Sequence, residues 1–360
     1  MSVVTTEVKA ESNILALMNQ MEHENLLFFN DKETGLKGII AVHDTTLGPS
    51  LGGCRIWNYQ NEAEAAWDVL RLSRGMTFKS AISGINLGGG KAVIISNNKE
   101  QPTEKYWRKF GEVVETLGGK YITAEDVGTS TQEISHIMQM TKHVAGKPME
   151  AGGTGDPSPF TAYGVFLGLK ASAKEAFGTD NLSGRKVAVQ GIGHVGKYLV
   201  DHLSKAGAKV FITDINQENL KAVANEYGST VVGIDEIYDL DVDIYAPCAL
   251  GATVNTDTIN RLKCAVIAGA ANNQLADEHL HGQMLLDKGI IYAPDFLINA
   301  GGVINCYREV ENLTEQETQK YIDEIYNKTL QIFARAKEEK VPTQEAAIRI
   351  AKERIQRAKN

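Results

Sequence analysis

The sequence predicts an α/β protein of two domains. Three observations lead to this class: the length of 360 residues, the alternation of helical and extended segments between residues 60 and 145, and a strand–glycine turn–helix–strand pattern near residue 190. The dense Gly/Pro cluster Ala151–Pro159 is typical of a hinge. It gives predicted domains of 1–150 and 151–330, followed by C-terminal helices over 331–360 that we expect to pack on the first domain.

Composition excludes several classes of function. The net charge of −8 argues against a nucleic-acid partner, and no apolar stretch reaches membrane-spanning length. The first ten residues lack the charged start and apolar core of a secretory signal. Four scattered cysteines show no metal-ligand spacing. We therefore expect a reduced, cytoplasmic protein without structural metal.

The N-terminal part begins with a predicted helix, Asn13 to Glu22, and two strands, Asn25–Asn30 and Leu36–His43. Gly35 suits the hairpin loop between the strands, because glycine accepts a positive φ. The glycine-rich segment Leu47–Arg55 follows. Its glycines either let a ligand approach the backbone or permit a turn, and the segment alone favours a turn.

Two lysines stand in different settings. Lys79 closes a helical run that begins near Asn61 and includes Met76. Lys91 lies between a predicted turn of three glycines and the apolar strand Ala92–Ile95. Burial and a nearby like charge favour the neutral form of Lys91, which could then act as a base while Lys79 stays charged and holds an anion. A single lysine at a strand start is more often a surface residue, so the pair needs support from the rest of the chain.

A carboxylate follows the next predicted strand. Tyr121–Ala124 delivers Glu125 and Asp126 at its carboxyl end, where open α/β sheets place functional groups. Ser130 can cap the helix predicted at 131–141. By itself Asp126 would more often be a loop carboxylate than a catalytic one.

The pattern near residue 190 is more specific. Strand Lys186–Gln190 leads into GIGHVG, helix 195–206 and strand Lys209–Thr213, which ends at Asp214, eighteen residues after the last glycine. This order predicts a Rossmann-type dinucleotide-binding domain, in which Asp214 accepts hydrogen bonds from ribose hydroxyls. The carboxylate would repel a 2′-phosphate and no arginine follows it, so NAD is favoured over NADP. The alternative is a Rossmann fold without nucleotide. The predicted cofactor contacts in the motif are Gly191, Gly193, His194, Val195 and Gly196.

The sheet continues through strands at 243–246, 265–268 and 290–293. The first two deliver Ala249 and Asn272 to the strand ends, where the nicotinamide ribose of a bound cofactor would lie. The third leads to Asp295 and then to the segment 298–303. Two helices broken at Val341-Pro342 close the chain, and an oligomer contact is the alternative role for them.

The motifs together resemble one enzyme family. LGPSLGGCRIW, RGMTFK, NLGGGKAVI, TAEDVGT, PSPFTAYGV, GxGxxG and NAGGVIN occur in the order seen in the glutamate, leucine, phenylalanine and valine dehydrogenases. The resemblance covers nearly the whole chain, and its spacing and length are most similar to those of the leucine dehydrogenases. It implies reversible NAD-dependent oxidative deamination of an L-amino acid to a 2-oxo acid and ammonia, by a homo-oligomer that is octameric in such enzymes.

The resemblance also implies roles for individual residues. Lys79 would hold the substrate carboxylate with the backbone of Gly52 and Gly53, Lys91 would activate water, and Asp126 would carry protons to and from the amine. The other residues implied by motif position are Met76, Ala124, Asn299, Val303 and Cys306 for the substrate, and Thr161 and Asn272 for the nicotinamide.

Substrate choice depends on two positions. Leu51 stands where the glutamate enzymes carry a lysine that pairs with the distal carboxylate, and an apolar wall cannot repay the desolvation of that group. We therefore expect leucine, isoleucine and valine as substrates. Cys306 stands where leucine dehydrogenases usually carry an aliphatic residue, so the ranking of these substrates and of phenylalanine stays open.

Three other interpretations of the motifs are possible. A P-loop in GGGK fails, because glycine would be needed at Ile85 and Ala92 replaces the hydroxyl residue that holds magnesium. A phenylalanine dehydrogenase would differ only in pocket size. A non-catalytic NAD-binding regulatory protein is disfavoured by the set Lys79, Lys91 and Asp126.

Overall fold

The computed structural model describes residues 14–96, 102–249 and 251–360. These residues form two compact units: the first contains residues up to Asp156 with 305–314 and 352–360, and the second contains 157–304 and 315–351. The boundary after Asp156 falls inside the predicted hinge. The units divide the C-terminal helices at 351/352, whereas the predicted boundary was residue 331. The predicted helix start at Asn13 and the first ten residues lie outside the described part of the chain.

The first unit is built on a five-stranded mixed sheet of order β1-β2-β4-β3-β5. The β1–β2 and β2–β4 pairs are antiparallel, and β3 runs parallel to both β4 and β5. Its elements are α1 (Ile14–Gln20), β1 (Asn25–Asn30), β2 (Lys37–Asp44), β3 (Ser50–Trp57), α2 (Glu62–Ser83), β4 (Gly88–Ile95), α3 (Glu104–Glu115), β5 (Tyr121–Glu125) and α4 (Thr131–Ile137).

Helices cover both faces of this sheet because its central strands are apolar on both sides. Val93 packs with Val69 and Leu70 of α2, whereas the next residue, Ile94, packs with Phe110 of α3. The α2 helix begins after Asn61, whose side chain accepts from Glu64 N, and it ends at Gly84 with φ +86°. One face of the sheet is therefore fixed against the helix that carries Lys79.

Most of the two glycine-rich segments lies in strands, β3 (Ser50–Trp57) and β4 (Gly88–Ile95). The predicted turn was therefore wrong for Ser50–Arg55 and for the three glycines before Lys91, whereas residues 47–49 do form a turn before β3. A Cβ at Gly52 would lie 1.7 Å from Gly90 O, and one at Gly88 would lie 2.1 Å from Asp44 O. A Cβ at Gly89 would lie 2.2 Å from Thr77 N of α2. Glycine is used here because neighbouring backbone occupies the space of a side chain, a constraint that local sequence does not reveal.

The second unit is built on a six-stranded parallel sheet of order β11-β10-β9-β6-β7-β8. This is the strand order of a dinucleotide-binding Rossmann fold, with the switch point between β6 and β9. The remaining elements are α5 (Ser158–Phe177), β6 (Lys186–Gln190), α6 (His194–Lys205), β7 (Lys209–Thr213), α7 (Gln217–Tyr227), β8 (Thr230–Val231), β9 (Ile244–Pro247), α8 (Thr256–Arg261), β10 (Val266–Ile267), α9 (Glu278–Lys288), β11 (Ile291–Tyr292), α10 (Asp295–Ile298), α11 (Gly301–Glu311), α12 (Glu315–Glu339) and α13 (Thr343–Lys359).

The predicted two-domain α/β class is confirmed. The helices α11 and α13 each contribute residues to both units, since the unit boundaries fall at 304/305 and 351/352. Of the helices in the described residues, none combines the length and hydropathy needed to cross a bilayer.

Candidate functional site

In the first unit, Lys91 and Asp126 are in direct contact. Lys91 Nζ lies 2.8 Å from Asp126 Oδ2, and the lysine side chain is only 6% exposed. Burial by itself raises the pKa of Asp126, but the charges of Lys91 and Arg55 outweigh it and lower that pKa to about 2. Asp126 is therefore a carboxylate at neutral pH and can accept a proton.

The register of the sheet explains how residues distant in sequence meet. In the β3–β5 pair, Gly53 lies opposite Ala124, and in the β3–β4 pair Cys54 lies opposite Ala92. Because side chains alternate between faces, Leu51, Gly53 and Lys91 belong to the face covered by α2. A Cβ at Gly53 would lie 2.8 Å from Asp126 Cβ, so the glycine also makes room for this carboxylate. Leu51 and Ala124 are buried on the same face.

The helix α2 supplies Met76 and Lys79, both half-buried. Thr77 of this helix lies against Gly89 of β4. Lys79 lies two residues after Thr77 in α2, and Lys91 lies two residues after Gly89 in β4. The carbonyls at the end of α2 are capped by Arg354, whose guanidinium donates to Ala81 O at 2.9 Å and Ile85 O at 2.8 Å. An arginine from the last helix thus fixes the turn between Lys79 and Lys91.

Cys306 of α11 belongs to the first unit. Burial, and then the charges of Glu309 and Glu125, raise the pKa of its thiol to about 12. The influence of the Glu125 charge indicates that Cys306 lies near the end of β5. The thiol is neutral at physiological pH and behaves as a small, weakly polar wall.

In the second unit, the GIGHVG segment has the geometry of a phosphate-binding turn. Gly191 has φ +101°, and a Cβ there would lie 2.6 Å from Ala249 N. A Cβ at Gly196 would lie 2.1 Å from Gly191 O, so the helix packs closely on the strand end. Around Gly193 there is no described atom within 4 Å of a Cβ position. The space beside Gly193 is therefore open, and it lies at the N-terminus of α6, where an anion can bind. The helix begins at His194, and the next residue, Val195, is half-buried.

Asp214 lies at the end of β7 and is tied to the same turn. Its Oδ2 accepts from Ile192 N, and its Oδ1 accepts from Asn216 N at 2.8 Å. A carboxylate has lone pairs left to accept further hydrogen bonds. The exposed side chain of Ile215 follows it. This arrangement fits the ribose end of a dinucleotide.

A second cluster of predicted residues lies in this unit. The buried Asn299 donates from Nδ2 to Asn272 Oδ1 at 2.8 Å and to Ala270 O at 3.1 Å, while its own Oδ1 is buried with no hydrogen-bond partner. Thr161 lies against Gly302, where a Cβ would be 2.9 Å from its Oγ1. An unpaired buried amide oxygen fits a ligand that carries an amide or amine donor. Val303 is buried one residue further along α11.

The residues present therefore fit a nicotinamide dinucleotide. Gly191, Gly193 and Gly196 would hold the pyrophosphate, Asp214 the ribose, and the groups at the ends of β9 and β10, including exposed Ala249, the nicotinamide half. Within the described ranges, no group of three or more His, Cys, Asp or Glu side chains could hold a metal ion.

Sequence reasoning missed two residues that hold the Lys91–Asp126 pair. Arg55 Nε donates to Asp126 Oδ2 at 3.0 Å, and Thr129 Oγ1 accepts from Asp126 N at 2.8 Å while donating to Cys54 O. Both residues lie in motifs already quoted for the family resemblance. Each is a polar side chain within a motif, and asking which group it contacts could have identified it from the sequence.

The chain matches known proteins over most of its length. Residues 23–143 match the family described as Glu/Leu/Phe/Val dehydrogenase, dimerisation domain, and residues 152–215 and 211–360 match Glutamate/Leucine/Phenylalanine/Valine dehydrogenase. A leucine dehydrogenase of Thermoactinomyces intermedius is 51% identical over 343 residues, which is 95% of this chain and 93% of that protein. A phenylalanine dehydrogenase of Bacillus thermotolerans is 42% identical, over 98% of this chain and 93% of its own. The crystal structure of L-tryptophan dehydrogenase from Nostoc punctiforme superposes with a TM-score of 0.84 at 47% identity, covering 96% of this chain and 99% of that one.

Proposed function

Since the chain belongs to the glutamate, leucine, phenylalanine and valine dehydrogenase family, we propose that it oxidatively deaminates branched-chain L-amino acids with NAD. The family resemblance drawn from the motifs is confirmed. The chain is an amino-acid dehydrogenase of a family that uses NAD or NADP. The finer proposal concerns the side chain of the substrate, the choice between the two cofactors and the residues that act.

The observation that carries the substrate proposal is the position of Leu51. Its side chain is 2% exposed and lies on the face of the sheet that also carries Lys91. A glutamate side chain placed there would bury a second carboxylate without a partner, which is strongly unfavourable. Ala124 and the neutral thiol of Cys306 near the end of β5 add small, weakly polar walls. An aliphatic substrate side chain matches this set.

An aromatic substrate is the second candidate. It is favoured by the similarity to a phenylalanine and a tryptophan dehydrogenase and by the small side chains of Ala124 and Cys306, which leave volume near β5. The two candidates differ in pocket size and not in chemistry.

The reacting groups of the first unit support a division of labour. A nicotinamide dinucleotide held by the glycine turn and Asp214 of the second unit would supply the acceptor for the hydride of the substrate Cα. Lys79 holds the substrate carboxylate, because a charged lysine on a helix beside β4 can pair with an anion. Asp126, which is a carboxylate at neutral pH, is the group that we assign to take a proton from the substrate amine. Lys91, buried beside it, acts as the base toward the attacking water.

A panel of twenty L-amino acids with NAD, followed at the NADH absorbance, tests the substrate. We expect leucine, isoleucine and valine to react with kcat/KM values within about 10- to 100-fold of one another, since a methylene is worth about 1–3 kcal/mol. Glutamate should react far more slowly. Cys306→Leu should lower the ratio of leucine to valine rates, and the matched control Cys306→Ser should leave it unchanged. Preferred turnover of phenylalanine or tryptophan would replace the branched-chain proposal with the aromatic one.

Two lysine variants test the division of labour. Lys91→Ala should abolish turnover while amino-acid binding survives, because its role is in the chemistry. Lys79→Ala should weaken substrate binding by roughly 2–5 kcal/mol, as expected when one partner of a desolvated charge pair is removed. Equal behaviour of the two variants contradicts the assignment of roles.

The cofactor proposal rests on Asp214. Wild-type kcat/KM with NAD should exceed that with NADP, and Asp214→Ala should narrow the difference by removing both the hydrogen bonds and the repulsion. Comparable wild-type rates with the two cofactors would contradict it. We also propose a homo-oligomer, which the match of residues 23–143 to a dimerisation domain supports, and light scattering measures its size.

A further inference from the structure

The Lys91–Asp126 contact is the inner end of a longer chain of charged groups. Arg55 Nε lies 3.0 Å from Asp126 Oδ2, and Arg55 Nη1 lies 3.1 Å from Asp68 Oδ2. Tyr59 OH donates to the same Asp68 oxygen at 2.8 Å. The charges alternate along β4, β5, β3 and α2. Asp126 and Arg55 therefore each lie between two partners of opposite sign.

This chain is largely withdrawn from water. The side chains of Arg55, Asp68 and Asp126 are 22%, 16% and 22% exposed. A buried guanidinium is stable only when it is paired with negative charge. Arg55 pairs with two carboxylates, Asp126 through Nε and Asp68 through Nη1. Burial lowers the pKa of Arg55, but the charges of Asp126 and Asp68 outweigh it and raise that pKa. Burial and Asp68 also raise the pKa of Tyr59, which stays a donor.

The contacts of Asp126 are uneven. Lys91 and Arg55 both approach Oδ2, and the Asp126 backbone N–H is fixed by Thr129. Within the described residues, Oδ1 has no partner. The carboxylate is thus fixed through one oxygen, and the other is available to a ligand.

We propose that Arg55 is a positioning residue, which holds Asp126 through Oδ2 so that Oδ1 is presented for proton transfer throughout the catalytic cycle. The proposal rests on the role of Asp126 in the proposed function. Lys91 alone cannot keep Asp126 in place, because a residue that acts as a base changes its charge during the reaction. Arginine does not deprotonate in proteins, so its pull on Asp126 stays constant when that of Lys91 varies. Asp68 and Tyr59 fix the other edge of the guanidinium.

The test compares Arg55→Gln with wild type, using whichever amino acid the wild type turns over fastest. We expect kcat to fall about 100-fold, the effect of misplacing a reacting group by about 1 Å. The KM for the amino acid should change little. The acid limb of the kcat–pH profile should move to higher pH, because loss of a neighbouring positive charge raises the pKa of Asp126. Arg55→Lys should restore the acid limb but not kcat, since an ammonium lacks the fork.

The matched control is Arg71→Gln. Arg71 Nη2 pairs with the other oxygen of Asp68 at 2.8 Å, and its side chain is 41% exposed. Because an exposed pair contributes little, we expect less than about a twofold change in kcat. If Arg55→Gln does not fold, Asp68→Asn removes the other carboxylate partner of the Arg55 guanidinium and should lower kcat about 3- to 10-fold. Its acid limb should not move to higher pH, because Arg55 keeps its charge and a nearby negative charge is lost.

Two outcomes separate this proposal from the proposed function. If Asp126→Asn is inactive but Arg55→Gln keeps wild-type kcat and an unmoved acid limb, Asp126 acts and Arg55 does not position it. If Asp126→Asn keeps wild-type activity, the role of Asp126 is wrong and the proposal for Arg55 fails with it. A loss in Arg55→Gln confined to KM also overturns the proposal. A different preferred substrate leaves the test intact.

Discussion

The two units of the molecule use glycine for different physical purposes. In the first unit, glycines lie inside paired strands, where a Cβ at Gly52 would be 1.7 Å from Gly90 O. In the second unit, Gly191 provides a turn with φ +101°, and Gly193 has open space at its Cβ position. The glycines inside the strands are required by the fold, because neighbouring backbone fills the space of a side chain. Gly193 instead leaves open space that a cofactor can occupy.

The placement of charge differs in the same way. Lys91 and His43 are 5% and 4% exposed inside strands of the first unit. In the second unit, Asp214 and Asn272 stand at the carboxyl ends of strands, the position at which α/β sheets bind ligands. The first unit therefore buries titratable side chains in its core. Changes there should affect stability and activity together, whereas changes at the strand ends of the second unit should affect binding alone.

The largest effect that tests this comparison is Gly52→Ala. The new methyl group would meet the backbone of the neighbouring central strand, which cannot move aside as a flexible side chain could. We expect the free energy of unfolding to fall by about 3 kcal/mol or more, at the upper end for overpacking. Urea denaturation at a fixed protein concentration measures it, since the apparent stability of a protein that associates depends on its concentration.

The control for that experiment is Gly75→Ala, in the same unit. Gly75 lies within α2 and has no described atom within 4 Å of its Cβ position. Alanine favours a helix over glycine by about 1 kcal/mol, so this variant should be slightly more stable than wild type. A Gly52→Ala protein as stable as wild type would show that β3 and β4 do not depend on glycine.

This difference also explains what could be predicted from sequence. The GxGxxG turn, the strand before it and Asp214 after it lie within 29 residues, so local pattern was enough to place them. The glycines of β3 and β4 were assigned to turns, because the reason for them is the backbone of strands and a helix distant in sequence. The sequence shows that these segments are rich in glycine, but it does not show which distant backbone atoms exclude a side chain there.

Charge pairs follow the same rule. Lys91 and Asp126 were each singled out, yet their 2.8 Å contact depends on the order of β4, β3 and β5 in the sheet. Arg55 was missed because its partners, Asp68 and Asp126, are 13 and 71 residues away. A motif residue with no local partner is therefore a good candidate for a long-range one.

A second prediction concerns acid stability of the first unit. Burial, and then the nearby His23, lower the pKa of His43 to about 4. Between pH 6.5 and 4, the unfolded chain therefore binds more protons than the folded one, and stability falls as pH falls. With an unfolded value of about 6.5, His43 alone should cost roughly 3 kcal/mol at pH 4. Urea denaturation between pH 7 and 4.5 measures the slope.

His43→Gln is the variant that tests the source of this slope. It loses hydrogen bonds that His43 makes with Thr77 Oγ1 at 2.8 Å and Met21 O at 3.0 Å, so it should be less stable at pH 7. Its stability should nevertheless depend less on pH than that of wild type. Asp126 has the opposite sign and another window: its lowered pKa stabilises the fold above about pH 4, and this contribution is lost only toward pH 2. An unchanged slope in His43→Gln would assign the acid sensitivity to other groups.

The smallest change in stability should come from Gly193→Ala. Gly193 has φ −74°, which alanine adopts without strain, and its Cβ position is open. We expect the free energy of unfolding to change by no more than about 0.5 kcal/mol, as for a surface substitution. The affinity for NAD should fall by about tenfold or more, because this glycine lets the backbone approach the pyrophosphate.

Gly228→Ala is the control for Gly193→Ala, because it should change stability and not the affinity for NAD. Gly228 ends α7 with φ +68° and has no described atom within 4 Å of its Cβ position. Alanine there should cost about 1–2 kcal/mol of stability through backbone strain and leave NAD affinity unchanged. Calorimetric titration with NAD and urea denaturation of both variants give the four values needed. If Gly193→Ala lost stability but kept its affinity for NAD, the open space before α6 would serve the fold, and the contrast between the two units would fail at the residue where it is sharpest.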